Sequence, residues 1–156
     1  MVSMSENPPS SSPSTARADG AVRIIGIVVA ILGVVFVVAG ITTYATVSMT
    51  LADEHIVVSD DAAHFAGKEV KGPFTAYAQA EVIAKHALEI GGGKTYSELP
   101  QDDPNRDAVM TASFLRASLF TSVVAFGVAA FVAVIGVVLA LLGWALLRLQ
   151  RVPRQP

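Results

Sequence analysis

The pattern of apolar and charged positions divides the chain into two long apolar runs and a polar stretch between them. No Asp, Glu, Lys or Arg occurs from Ile24 to Ala52 or from Ala117 to Leu147, runs of 29 and 31 residues. About 20 apolar helical residues span the roughly 30 Å hydrocarbon core of a bilayer, so both runs are long enough to cross it. We therefore predict an all-α membrane protein, a two-helix transmembrane hairpin with a small helical extracytoplasmic segment.

The same pattern predicts the bounds of each segment. The Ser- and Pro-rich start of the chain has no apolar period, and such a segment buries too little surface to offset its ordering entropy. The predicted segments are a disordered cytoplasmic tail (1–21), transmembrane helix 1 (22–48), an extracytoplasmic loop (49–103) with an amphipathic helix at about 73–90, a long helix (104–149) containing transmembrane helix 2 at about 118–147, and a cytoplasmic tail (150–156).

Turn residues predict the ends of the two helices that follow the first span. Gly72-Pro73 is typical of a helix entry, and the glycine run that starts at Gly91 is typical of a helix stop. Asp103 is the predicted N-cap of the long helix and Pro104 its first residue. In the amphipathic helix, we expect Tyr77 and its apolar neighbours to pack on the long helix, with these residues on the solvated face: Gln79, Glu81, Lys85, His86 and Glu89.

Small residues recur at helical spacing along each apolar run. Close backbone approach at such residues pairs helices in a membrane, where apolarity alone does not. The predicted helix-packing residues are Gly26, Ala30, Gly33 and Gly40 in the first run, and Ala129, Ala133, Gly136, Ala140 and Gly143 in the second. Two interpretations stay open with equal weight: the two stripes pack on each other, or one of them binds a different chain.

Charges near the ends of the runs predict the orientation. Lys and Arg close to a span favour the cytoplasmic side. Arg23 precedes the first run and Arg148 follows the second, whereas the segment from Asp53 to Arg116 holds 11 acidic against six basic residues. We expect a multi-pass plasma-membrane protein with both termini cytoplasmic and the loop outside. The predicted membrane-interface residues are Tyr44, Trp144, Arg23 and Arg148.

Composition excludes several classes of protein. There is no cysteine, so disulfides and thiol redox chemistry are excluded. The net charge is −2, and no strongly basic surface is predicted, so nucleic acid is not expected as a partner. The first run is about twice the usual 7–15 apolar residues of a signal peptide, which favours an uncleaved anchor.

The candidate metal ligands are the three histidines of the loop, His55, His64 and His86. Two histidines and a carboxylate can hold ferrous iron, but the spacing of these residues matches no zinc or iron motif. A metal-binding enzyme or a sensor that uses these histidines is therefore the alternative interpretation. The two apolar runs contain no Asp, Glu, Lys, Arg or His, which disfavours a transporter.

Three stretches resemble a known family: LADEHIVVSDDAAHFAGKEVKGPFTAYAQAEVIAKHALE, GGGKTYSEL and ASFLRASLFTSVVAFGVAA. They are similar to small actinobacterial membrane proteins with two spans, an external loop and an Ala- and Val-rich second helix. Members of that family often carry the name "aromatic ring-opening dioxygenase". The resemblance covers roughly residues 24–147, and its specific part is the loop. It implies no catalytic residue.

The expected function is non-enzymatic. A ring-opening dioxygenase needs an iron site in a buried pocket that admits a catechol, and the loop of about 55 residues supplies no convincing ligand set. We expect an accessory, assembly or stabilising subunit of a larger plasma-membrane complex, such as a respiratory or envelope complex, with no cofactor. The expected partners are membrane lipids and either other membrane subunits or further copies of this chain.

Overall fold

The structure, a computed structural model, describes residues 13–149, with side chains from Gly20 onward. This part of the chain contains three helices, α1 (Pro13–Asp53), α2 (Pro73–Ile90) and α3 (Arg106–Leu149), and no strand. Two of them, α1 from Gly20 and α3, are long and apolar enough to cross a membrane. The all-helical class predicted from the sequence is therefore confirmed.

Helix α1 begins earlier than predicted. The last nine residues of the predicted disordered tail, 13–21, belong to α1, while residues 1–12 lie outside the described part of the chain. The prediction of disorder rested on the lack of apolar periodicity. An existing helix lengthens at low cost, since each added residue gains one backbone hydrogen bond. Proline at the first helical position, Pro13, also costs no hydrogen bond there.

Helix α3 begins two residues later than predicted. Asp103 is not its N-cap, because the Asp103 carboxylate accepts a hydrogen bond from the backbone N–H of Asn105 at 2.8 Å and closes a turn before the helix. The first helical bond runs from the N–H of Val109 to the carbonyl of Asn105 at 3.0 Å. Pro104 therefore lies in this turn. Side-chain bonding two residues along the chain is the usual alternative for an Asp before a helix.

The described residues belong to two compact units. The terminal unit comprises residues 13–35 and 135–149, and the cap unit comprises Phe36–Val134. In the terminal unit, α1 and α3 approach each other at glycines. A Cβ atom added at Gly33 would lie 2.6 Å from the carbonyl oxygen of Gly136, and one added at Gly143 would lie 2.6 Å from that of Gly26. No side chain fits between the two backbones at these points.

The cap unit has its own apolar core. The buried residues that form it are Leu51, Val58, Val70, Ala76, Ala80, Leu119 and Phe126. They come from the end of α1, the loop after it, α2 and the first half of α3. The amphipathic helix α2 therefore buries its small-residue side against the loop and both long helices, rather than against α3 alone.

The loop between α1 and α2 folds back on itself as a short extended hairpin. Val57 and Glu69 form an antiparallel bridge, flanked by hydrogen bonds from Val58 N–H to the Lys68 carbonyl and from Val70 N–H to the Ile56 carbonyl. Side chains alternate along such a stretch. Val58 and Val70 are consequently buried, whereas 52% of Val57 is exposed.

Candidate functional site

The cap unit contains a cleft of about 470 Å³. It lies where α1, the hairpin loop and the start of α2 meet. Its lining residues are Tyr44, Phe65, Lys68, Glu69, Lys71, Gly72, Pro73, Phe74 and Thr75. A second cleft, of about 390 Å³, lies on the other side of Phe65 and Phe74, which line both.

Hydrogen bonds hold the loop that lines the first cleft. The Ser48 hydroxyl on α1 donates to the carbonyl of Lys71 at 2.7 Å. The hydroxyl of Thr75 accepts from the backbone N–H groups of Lys71 and Gly72, at 3.3 and 3.2 Å. These bonds attach the residues before α2 both to α1 and to the first turn of α2.

Gln79 is a structural residue that the sequence interpretation placed wrongly. It was predicted on the solvated face of α2, yet only 9% of it is exposed. Its side-chain oxygen accepts a hydrogen bond from the backbone N–H of Ser59 at 2.9 Å. A buried polar side chain is tolerated when it is bonded in this way. The hairpin loop covers this position of α2, and α2's own periodicity carries no information about that loop.

Asp61 joins the loop to the polar side of α2. Its carboxylate oxygen lies 3.1 Å from the amino nitrogen of Lys85 and 2.9 Å from Nε2 of His86. The hydrogen bonds from His86 and Lys85 lower the pKa of the Asp61 carboxyl below its ordinary value. All three side chains are substantially exposed, and exposed pairs of this kind contribute little to stability, so this cluster is a surface contact between the loop and α2.

Arg106 and Glu98 hold the segment between α2 and α3. The Arg106 guanidinium donates to the carbonyls of Tyr96 and Leu99, and its central carbon lies 4.3 Å from the centroid of the Tyr96 ring. The Glu98 carboxylate accepts from the N–H and the hydroxyl of Thr95, and these bonds lower the pKa of Glu98. The sequence interpretation assigned no role to Arg106, because its partners are backbone carbonyls.

The predicted helix-packing residues lie between α1 and α3 within each unit. In the terminal unit, Gly26 and Ala30 face Gly143, and Gly33 faces Gly136 and Ala140. In the cap unit, a Cβ at Gly40 would lie 2.6 Å from the carbonyl oxygen of Ala129 and 2.7 Å from the backbone nitrogen of Ala133. Within each unit, these small residues of α1 thus lie against those of α3.

The predicted interface residues have aromatic and cationic neighbours. The Tyr44 ring contacts that of Phe126, with centroids 4.7 Å apart. The Arg148 guanidinium lies 4.7 Å above the centroid of the Trp144 ring. Arg23 is exposed on α1. The interface role of these four residues stays a prediction, although their exposure at the ends of the apolar runs is compatible with it.

The three loop histidines do not come together as a ligand set. His86 contacts Asp61, His64 lies beside the ring of Phe65, and His55 follows the last turn of α1 with a φ of 52°. Among the side chains of residues 20–149, no group of three His, Asp or Glu could hold a metal ion. The geometry therefore gives the metal-binding alternative no support from these residues.

Hydroxyl groups near the spans bond to their own helices. Thr46 and Thr50 on α1, and Thr121 and Ser122 on α3, each donate to the carbonyl four residues earlier. The donor hydrogens of these hydroxyls are therefore used within the helices.

Comparisons with family models, with curated proteins and with solved structures find no match to this chain. The resemblance to the small actinobacterial family therefore stays a prediction, as does the activity that its usual name suggests.

Proposed function

We propose that this chain is a non-enzymatic integral membrane protein that serves as an accessory, assembly or stabilising subunit of a plasma-membrane complex. In this proposal α1 and α3 form a transmembrane hairpin. The positions of Arg23 and Arg148 favour cytoplasmic termini and an extracytoplasmic cap unit.

One observation carries the proposal: the cap unit uses its polar side chains for its own folding and leaves apolar side chains exposed. Gln79 and Arg106 each bind a loop of the unit itself, and Asp61 binds α2 from the loop. By contrast, 41% of Leu88 and 44% of Ile90 are exposed near the end of α2. Exposed apolar residues outside a span are candidate contacts for another protein.

The packing of the glycines limits which surfaces of the chain a partner can contact. Gly33, Gly40 and Gly143 are buried between α1 and α3. They are therefore not available to a second chain unless the hairpin opens. This supports association through the cap unit, rather than through the small-residue stripes.

The test is a tagged purification from the native membrane in mild detergent, followed by mass spectrometry. We expect a stoichiometric set of larger membrane subunits with the unmodified chain. Replacement of Leu88 and Ile90 together by Ser should reduce their recovery at least tenfold, because about 1.4 kcal/mol of lost contact energy has this effect. Replacement of Val34 and Val38 by Leu, which keeps an apolar surface on α1, is the control.

Two results would contradict this proposal. Recovery of the chain alone, under conditions that keep other complexes intact, would exclude an accessory role. Equal recovery with the Leu88 and Ile90 variant and with the control would exclude the end of α2 as the binding surface.

A further inference from the structure

The lining of the larger cleft combines aromatic and cationic side chains in one place. Tyr44 and Phe74 supply apolar surface, and 74% of Phe74 is exposed. Lys68 and Lys71 supply positive charge, and the amino nitrogen of Lys68 lies 5.6 Å from the centroid of the Phe65 ring. Aromatic and lysine side chains in one place suit the level where hydrocarbon meets phosphate.

In the proposed topology, the position of Tyr44 along the chain puts this cleft at the outer membrane surface. About 20 helical residues cross the hydrocarbon core, and Ile24 to Thr43 make up that length after the cytoplasmic Arg23. Tyr44 is therefore the first residue beyond the core on the extracytoplasmic side. Since Tyr44 lines the cleft, the cleft opens at the level of the lipid headgroups.

The charge of the cleft complements an anionic headgroup. Two lysines and one acidic residue, Glu69, line it, in a segment where acidic residues outnumber basic ones by 11 to six. The ion pair between Lys71 and Glu69, at 3.4 Å, is exposed, with 64% and 41% of the two side chains accessible. Exposed pairs of this kind are weak, so Lys71 can turn to a phosphate at little cost.

We propose that this cleft binds one anionic phospholipid of the outer leaflet. Its phosphate would lie between the amino groups of Lys68 and Lys71, and its glycerol and upper acyl carbons along Tyr44 and Phe74. The volume of about 470 Å³ suits a headgroup and glycerol. The bonds from Ser48 and Thr75 hold the lysine-bearing loop in place before the lipid binds. This inference rests on the membrane insertion proposed above.

The test uses the full chain in nanodiscs made from an equimolar mixture of phosphatidylcholine and phosphatidylglycerol. Native mass spectrometry after release measures which lipid stays bound. We expect phosphatidylglycerol to be enriched over phosphatidylcholine. Lys68→Gln and Lys71→Gln should each reduce this enrichment about fivefold, the effect of roughly 1 kcal/mol per basic residue at an anionic surface.

Lys94→Gln is the matched control, because Lys94 is an exposed lysine of the cap unit that lies outside the cleft. It removes the same charge and should leave the enrichment unchanged. Phe74→Ser should lower the retention of both lipids, since it removes an apolar wall without changing charge. All these positions are exposed, so folding is expected to persist in each variant.

The outcomes separate the two proposals. A chain found outside the nanodiscs overturns membrane insertion and this site with it. A chain that is inserted but shows no enrichment, or equal enrichment in the Lys68, Lys71 and Lys94 variants, overturns the lipid site alone. Displacement of phosphatidylglycerol by inorganic phosphate would show that the cleft recognises free phosphate, which also overturns it.

Discussion

Individual glycines differ in what surrounds them, although the sequence shows them at similar spacings. A Cβ at Gly33 would meet the backbone of α3, whereas a Cβ at Gly127 would meet nothing within 4 Å. Both residues lie in apolar helices. Only the first has a packing role, because a neighbouring backbone occupies the space that a side chain would need.

We predict that Gly33→Ala lowers the free energy of unfolding by about 1–3 kcal/mol, because an added methyl group forces the α1 and α3 backbones apart. The measurement is unfolding in mixed detergent micelles, followed by circular dichroism. Gly127→Ala is the control and should change the stability little or raise it, since alanine has the higher helix propensity. Equal loss of stability in both variants would falsify the packing role of Gly33.

Gln79 illustrates what residue type and spacing leave undetermined. Its position on the helical wheel predicts solvent exposure, and its amide is a typical surface group. The structure buries it because the hairpin loop crosses α2 there and presents the N–H of Ser59. Ser59 and Gln79 lie 20 residues apart in the sequence. The periodicity of α2 alone therefore cannot predict this contact.

At the scale of elements, the ends of α2 follow local rules. The helix begins at Pro73 after Gly72 and ends at Ile90, before the glycines at 91–93. Gly92 and Gly93 have φ values of 61° and 85°, in the left-handed region that glycine adopts without strain. The starts of α1 and α3 were predicted less well. Helix α1 continues beyond its apolar run to Pro13, and a turn at Asp103 precedes α3.

The attachment of the hairpin loop to α2 should depend on pH through Asp61. Because the pKa of Asp61 is lowered in the folded chain, ionisation of Asp61 stabilises the fold at pH values above its ordinary value of 3.8. This contribution is lost as the pH falls through the lowered value. We expect the denaturation midpoint of Asp61→Asn to lie below that of the unmodified chain near neutral pH, and the gap to close in acid.

Denaturant titrations in detergent, at neutral pH and at a series of acidic values, measure this effect. Asp60→Asn is the matched control, since the adjacent carboxylate takes no part in the contacts of Asp61 with Lys85 and His86. If the gap for Asp61→Asn stayed constant into acid, or if Asp60→Asn reproduced it, the ion pairs would not be its cause.

At the scale of the whole molecule, the proposed topology predicts which residues are accessible from outside the cell. Because the chain has no cysteine, a single introduced cysteine can be labelled specifically. Gln101→Cys, in the exposed segment before α3, should react with a membrane-impermeant maleimide in intact cells. Ser14→Cys should react only after the membrane is permeabilised. The unmodified chain, which has no thiol, is the blank.

Labelling of Ser14→Cys in intact cells, with protection of Gln101→Cys, would show that the orientation is the reverse of the proposed one. It would also place the cleft beside Tyr44 at the cytoplasmic surface. Labelling of both in intact cells would contradict a two-span arrangement.

The sequence by itself determined that two segments can cross a membrane, because the cost of burying charge in hydrocarbon leaves long runs without Asp, Glu, Lys or Arg. It also determined the bounds of α2, since proline and glycine act on the backbone next to them. Only the tertiary structure decided that the two glycine stripes face each other, that Gln79 lies inside, and that Tyr44, Lys68 and Phe74 share one cleft. These features are contacts between residues far apart in the chain, and local pattern does not specify which surfaces meet.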